Sequence, residues 1–493
     1  MTTATANQHE QHVLDAVPRG LFVAGDWRDA TGGATFAVED PATGQTLTEV
    51  ADALPEDAVA ALAAAADAQG AFAAMAPRER GEILRGAYER IVARADDLAL
   101  LMTLEMGKPV AESKAEVLYA ADFLHWFSGE ATRIDGRFGV AEKAANQRVL
   151  VLRQPVGPCI FITPWNFPLA MGTRKIGPQI AAGCTAVIKP AKQTPLSMLA
   201  LAGILEEAGL PPGVLNVITA KSSGPTMEPL ITDARARKLS FTGSTEVGKA
   251  LMRQASERLL RISMELGGNA PFLVFEDADL DEAVEGAMIA KMRNGGEACT
   301  SANRFHVADT VAQEFAQRLA RRMGELKVGR GTEEGVRVGP LIDDVQRGKV
   351  DELVADATDR GAKVLVGGEK VDGRGYFYRP TVLTDIADDA RVLKEEIFGP
   401  VAPVRGFGSE EEAIAAANDT ELGLVAYVYT SDLKRAFRVI EGLETGMVGL
   451  NQGMVSNASA PFGGVKQSGF GREGGREGIN EYVETKYVAM NMG

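Results

Sequence analysis

From residue 149 onward, short apolar runs bounded by Gly, Pro and Asn alternate with longer stretches of mixed polarity. The runs at 157–163, 185–189, 214–218 and 238–241 have the length and β-branched content of buried strands. The stretch 196–208 between two of them reads as a helix. Strands that alternate with helices build parallel βαβ units, so the pattern predicts an open α/β sheet. A second alternation starts at 271–275 and continues past 425–430, which predicts a second α/β domain. Ahead of both, 21–27 and 35–39 read as short strands, and 55–74 and 77–106 as long helices, the second closed by Gly107 and Pro109. The stretch 481–488 reads as a terminal strand. It must pair within its own chain or across a subunit interface, and the second option would make an oligomer.

Composition narrows the function classes. At 45% hydrophobic and 24% charged, the 493 residues are those of an ordinary globular protein. The net charge of −15 repels phosphate backbones and anionic lipid, which argues against nucleic-acid and membrane-surface roles. Residues 1–20 are polar, unlike a secretory leader, and Asp67 and Gln69 interrupt the Ala-rich run 58–75, leaving it too polar to span a bilayer. Cys159, Cys184 and Cys299 are far apart, odd in number and without a C-x-x-C pair. That excludes a disulfide framework, argues against a metal site, and fits a reducing cytoplasm. Of four histidines, His9 and His12 lie in the polar N-terminal stretch. Acid–base chemistry is therefore expected to rest on a carboxylate, or on His125 or His306.

Two glycine motifs invite a nucleotide reading. Gly469-Phe-Gly-Arg-Glu-Gly474 matches G-x-G-x-x-G by letter, but it follows no apolar strand and has too little chain after it to open a βαβ unit. Gly243-Ser-Thr-Glu-Val-Gly-Lys-Ala250 does follow a strand and opens a helix on which Val247, Leu251, Ala255 and Leu259 share a face. Ala250 lacks the hydroxyl that a phosphate-binding loop gives to Mg²⁺, so an ATPase reading is weak. A pyrophosphate can still sit on that helix N-terminus without a metal.

Three residues carry candidate chemistry. Cys299 lies in the polar Asn294-Gly-Gly-Glu-Ala-Cys-Thr-Ser-Ala-Asn-Arg304, after an apolar helix at 280–292, whereas Cys159 and Cys184 have apolar or small neighbours and read as core thiols. Glu265 is followed by Leu-Gly-Gly, and two glycines there allow backbone or ligand to approach it closely. Asn166 stands in Ile162-Thr-Pro-Trp-Asn-Phe-Pro168, between two prolines that stiffen the turn. A thiol, a carboxylate and an amide are the nucleophile, the base and the oxyanion donor that an acyl-enzyme needs.

With these motifs the chain resembles the aldehyde dehydrogenase family from about Phe22 to Tyr487. The likeness rests on Pro164-Trp-Asn-Phe-Pro168, Lys189-Pro190, Phe241-Thr-Gly-Ser-Thr-Glu-Val-Gly248, Glu265-Leu-Gly-Gly268, the Cys299 loop, Glu395-Glu-Ile-Phe-Gly-Pro400 and Pro461-Phe-Gly-Gly-Val-Lys-Gln-Ser-Gly469. It implies an α/β fold of two Rossmann-like domains plus a small β oligomerisation element. The dinucleotide-binding domain would take 20–130 and 150–264, the catalytic domain 265–460, and the oligomerisation element 131–149 and 466–493 of a homodimer or homotetramer. Cys299 would attack the aldehyde, Asn166 and the Cys299 N–H would hold the oxyanion, and Glu265 would activate water. Lys189 and Glu396 would bind the ribose hydroxyls of NAD or NADP, Phe398 would pack near the nicotinamide, and Trp165, Gly243, Ser244 and Val247 would line the rest.

Within the family, Arg174, Arg293 and Ser456 resemble the carboxylate-binding set of the succinate-semialdehyde dehydrogenases. Paired arginines suit a bidentate carboxylate clamp. The resemblance thus implies oxidation of a small semialdehyde, succinate semialdehyde foremost, with glutarate semialdehyde and a broad-range or betaine-type specificity as alternatives. Thr300-Ser301 follow the nucleophile, so the neighbouring cysteine that forms a redox-switch disulfide in some members is absent. Lys192 stands where NAD-preferring relatives often carry a glutamate, which favours NADP.

Overall fold

The computed structural model describes residues 8–493. Two open sheets flanked by helices make up the bulk of the molecule. In the first, five parallel strands lie side by side in the order Leu215–Val217, Ala186–Lys189, Cys159–Ile162, Lys238–Thr242 and Arg261–Glu265. Nearly every residue in them is buried, as the continuous apolar runs of a sheet covered on both faces require. The chain builds outward from Cys159–Ile162 to one side and then returns to build the other. The reversal falls between Cys159–Ile162 and Lys238–Thr242, where the departing loops diverge and open a crevice.

The second sheet has seven strands, in the order Lys363–Val366, Thr381–Thr384, Val401–Phe407, Ala302–Ala308, Ala270–Val274, Val425–Tyr429 and Met447–Leu450. All run parallel except Lys363–Val366 at one edge. Residues 266–269 alone separate the end of Arg261–Glu265 from the start of Ala270–Val274. The carboxyl edge of the first sheet therefore meets the amino edge of the second, and the candidate residues gather at that seam.

The terminal strand, Val483–Asn491, finds its partner within its own chain. It pairs antiparallel with Ala144–Pro155 along its whole length, from Val483 opposite Pro155 to Asn491 opposite Gln147. Arg137–Ala141 completes this three-stranded sheet. Two expected boundaries need correction on this evidence. The division at 150 cuts through the strand Ala144–Pro155, and Gly469–Phe470, assigned to the oligomerisation element, instead pairs with Met264 and Glu265 of the first sheet.

Local differences have local causes. The stretch 77–106 is two helices, Pro77–Ala93 and Ala95–Met106, because Arg94 leaves helical geometry. Asp96 and Asp97 in the first turn of the second helix favour a new N-terminus there, and no glycine or proline announces it. His9 and His12 lie on a helix, Gln8–Asp15, with His9 Nε2 2.9 Å from Asp97. The helix after Gly243 is Thr245–Ser256, so its face ends before Leu259, which is exposed; Leu251 and Ala255 are buried, and Val247 is half-exposed. No single helix among the described residues is long and apolar enough to cross a membrane.

Candidate active site

Three segments bring the thiol, the carboxylate and the amide to the seam. Glu265 is the last residue of its strand, directly opposite Thr242. Cys299 follows the helix Leu280–Met292 and the turn Arg293–Gly296, and precedes the strand Ala302–Ala308. Asn166 leaves the central strand Cys159–Ile162 and precedes the helix Ala170–Ala182. The Cys299 Sγ lies 3.8 Å from Glu265 Oε2. Burial pushes the Cys299 thiol well up, the Glu265 charge adds to that, and Arg174 and Arg293 pull the other way. Burial likewise pushes the Glu265 carboxyl up to about 7, and its Oε1 has no hydrogen-bond partner among the described residues. A carboxyl so placed is near its midpoint at neutral pH, which suits a group that must take up and release protons.

The two glycines after Glu265 serve close approach. A Cβ on Gly268 would stand 2.4 Å from the Cys299 carbonyl oxygen, and one on Gly267 would stand 2.8 Å from Glu396 Oε2. The Gly268 N–H donates to Glu396 Oε1 at 3.0 Å. On the other side of the seam, Asn294 adopts φ +54 and is followed by two left-handed glycines. That strain is held by polar bonds: the Asn294 N–H donates to Glu112, and its side chain donates to Asn166 O and Glu297 O, each at 3.0 Å. The Asn166 side chain spends one N–H on Glu297 O at 3.0 Å, while its Oδ1 accepts from Phe167 N. Its second N–H and the Cys299 N–H make no hydrogen bond among the described residues, so both can serve an oxyanion.

A cleft of about 210 Å³ opens beside these groups. It is lined by Trp165, Gly243, Ser244, Glu396 and Phe398 together with Asn166, Glu265 and Cys299. Ser244 caps the helix Thr245–Ser256, its hydroxyl accepting from Val247 N, so the positive end of that helix faces the cleft mouth. Phe398 sits at φ +55, which is unusual for a bulky residue; Gln346 holds it there by donating to the Ile397 and Phe398 carbonyls. Its ring meets Trp165 edge-on at 5.3 Å. Burial raises the Glu396 carboxyl to about 7, and the Gly268 N–H and the nearby Lys349 and Lys291 oppose the rise. Lys189, Lys192 and Val247 stand outside the lining. Lys189 ends its strand buried, its Nζ donating to Pro190 O, and burial with the neighbouring Lys192 lowers it to about 8. Lys192 is exposed and forms no ion pair among the described residues. The glycine-bordered cleft, the helix N-terminus and the free cation fit a phosphate-linked dinucleotide.

The proposed carboxylate pocket needs one correction. Arg174 is not a free cation: its guanidinium is fully buried, stacks over Phe462 at 3.8 Å, and its Nε lies 2.9 Å from Glu473 Oε2. Glu473 also pairs with Lys175, so the local excess of positive charge is smaller than the sequence suggests. The Arg174 Nη2 still lacks a partner among the described residues. Arg293 and Ser456 do meet, Nη1 to Oγ at 2.8 Å, with the guanidinium over the Phe167 ring at 4.7 Å. Ser456 opens onto a second cavity, of about 350 Å³, that also touches Tyr119, Asp122 and His125.

Several supports escaped the sequence reading. Buried Lys108 donates to Asn166 O at 2.8 Å and pairs with Glu116, which in turn accepts from the N–H groups of Leu169 and Ala170. Gln346 and Lys349 brace the Glu396–Phe398 loop. None sits in a motif; a lysine and a glutamate on separate segments reveal their pairing only once folded. His306 is excluded as a base, since burial holds it down at about 3.

A buried thiol beside a high-pKa carboxyl, an amide donor and a dinucleotide-shaped cleft define a class of covalent, thiol-dependent oxidoreductases. The chain belongs to the aldehyde dehydrogenase family, whose model matches residues 27–488. It is 58% identical to the succinate-semialdehyde dehydrogenase of Paenarthrobacter nicotinovorans over 90% of this chain and 98% of the relative. It is 49% identical to a glutarate-semialdehyde dehydrogenase of Pseudomonas putida, over 96% and 97% of the two chains. Among solved structures, an Escherichia coli NADP-dependent enzyme superposes with a TM-score of 0.96 at 48% identity, covering 99% of this chain and all of the other.

Proposed function

We propose that the enzyme oxidises succinate semialdehyde to succinate with NADP⁺ in the cytoplasm, where its three free thiols stay reduced. The observation that carries the substrate is the Arg293–Ser456 pair at 2.8 Å beside a buried Arg174 with an unpaired Nη2, both arginines acting electrostatically on the Cys299 thiol. Donors for a carboxylate thus lie within electrostatic reach of the nucleophile for the aldehyde. The Paenarthrobacter nicotinovorans relative points the same way by name, whereas the Pseudomonas putida relative is named for glutarate semialdehyde, the neighbouring reading, because one methylene discriminates by only about 1–3 kcal/mol.

The chemistry follows from the groups in reach. Glu265 takes the thiol proton as Cys299 Sγ bonds to the aldehyde carbon. The Asn166 amide and the Cys299 N–H hold the oxyanion, a contribution of about 3–4 kcal/mol per donor in comparable sites. Bound NADP⁺ supplies the acceptor for the hydride lost when the thiohemiacetal becomes a thioester. Glu265 passes that proton to solvent and then takes one from water, whose oxygen attacks the thioester carbon; the C–S bond breaks, the leaving thiolate takes the proton back from Glu265, and the acid and the thiol are released. Glu396 and Lys189 would hold the ribose hydroxyls, Trp165, Gly243, Ser244 and Phe398 the nicotinamide half, and Val247 and Lys192 the adenosine half outside the enclosed cleft. Lys192 favours a 2′-phosphate because an ammonium attracts it and cannot accept from ribose hydroxyls. The exposed edge of Arg137–Ala141 is the proposed contact in a dimer or tetramer.

The test is a substrate panel on Arg293→Ala. Succinate and glutarate semialdehydes should lose about 10–100-fold more in kcat/KM than butanal, the value of hydrogen bonds to a charged group, since butanal loses only the effect of Arg293 on the thiol. Equal losses on all three would refute a carboxylate pocket.

A further inference from the structure

One buried polar group near the thiol has no role in that reading. The Tyr119 hydroxyl is shut off from solvent and makes no well-aligned hydrogen bond among the described residues, with the Ser456 hydroxyl as its polar neighbour. Buried hydroxyls are nearly always satisfied, so an orphan beside an active site points to a ligand. Its position is no accident of packing. Glu112, Glu116, Tyr119 and Phe123 recur at helical spacing along Val110–Glu130, so they share one face. Glu112 accepts from the Cys299 loop at Asn294 N, and Glu116 braces the Asn166 loop. The same face therefore delivers Tyr119 to the site. Arg293 stacks over the Tyr119 ring at 5.7 Å, and Arg174 lies 5.7 Å from the Phe123 ring, which meets Tyr119 edge-on at 4.9 Å. Tyr119 thus stands between the two guanidiniums and shares a cavity with Ser456.

We propose that the Tyr119 hydroxyl donates to the distal carboxylate of the substrate, as a fourth ligand beside Arg174, Arg293 and Ser456, and so helps set the preference for anionic over neutral aldehydes. This rests on the carboxylate-pocket reading above. Chemistry supports the donor role: an oxygen pair with several lone pairs accepts more bonds than two arginines supply. Burial holds the phenol proton on, so the group remains a donor throughout the assay range.

Tyr119→Phe keeps the ring, its stacking and its volume, and removes only the hydroxyl. With NADP⁺, the variant should raise KM for succinate semialdehyde about 10-fold or more, leave kcat within about twofold, and leave butanal unchanged. Succinate, as an inhibitor competing with the aldehyde, should weaken by the same factor. Loss on both aldehydes alike, or no change on either, overturns the proposal. Arg293→Ala run in parallel separates the two failures: if it abolishes the preference and Tyr119→Phe does not, Tyr119 alone is misassigned. If neither variant alters the preference, the carboxylate pocket itself is wrong.

Discussion

Replacing Glu265 by Gln should stabilise the protein above neutral pH while removing its activity. Burial raises this carboxyl from 4.5 to about 7. Between those values the folded state holds a proton that the unfolded state has released, so stability falls as pH rises through the interval and levels off above it. The full effect is about 2.5 units × 1.36, or roughly 3 kcal/mol, of which about 2.5 kcal/mol falls between pH 5 and pH 8. Glutamine does not ionise and escapes that loss. At about 2 cal/mol/K per residue, unfolding 493 residues cooperatively carries an entropy near 1 kcal/mol/K, so the variant should gain about 3 °C over wild type on moving from pH 5 to pH 8. Calorimetric scans of both proteins at the two pH values measure it. Turnover by wild type should rise through about pH 7 as Glu265 ionises, and the variant should stay inactive across the range. An offset in Tm that is the same at pH 5 and pH 8 would refute the assignment of a buried, high-pKa carboxyl.

Lys192→Glu should lower the NADP⁺/NAD⁺ ratio of kcat/KM by tenfold or more, about 1.4 kcal/mol, since it exchanges attraction for repulsion at the 2′-phosphate; an unchanged ratio would place the phosphate elsewhere. Phe138→Lys with Val140→Lys puts charge on the exposed apolar positions of the strand Arg137–Ala141. Light scattering after gel filtration should then show smaller species than wild type, and an unaltered mass would move the subunit contact off this edge.

The meeting of Cys299, Glu265 and Asn166 was legible because each sits in a short motif with its own local logic: glycines after Glu265, prolines around Asn166, a polar loop around Cys299. The two α/β sheets were legible from continuous apolar runs, which only doubly covered strands need. What stayed hidden depends on contacts between distant segments. Arg174 reads as a free cation until Glu473, far along the chain, is seen against it. The Lys108–Glu116 brace, the break at Arg94 and the intrachain partner of Val483–Asn491 are likewise settled by tertiary packing. Tyr119 carries no motif, and its meaning lies in a bond it does not make.

The pairing of Glu473 with Arg174 and Lys175 bears on how the enzyme comes into being. Both cations lie buried on the helix Ala170–Ala182, and their neutralising carboxylate is synthesised 298 residues after Lys175. A nascent chain that has not yet emitted this segment holds two interior charges without compensation, a costly arrangement. The two cations are therefore neutralised only once the segment that carries Glu473 has docked. Fragments that end before it should reach the cell as substrates for chaperones and proteases rather than as partial enzymes, a form of quality control written into the order of translation.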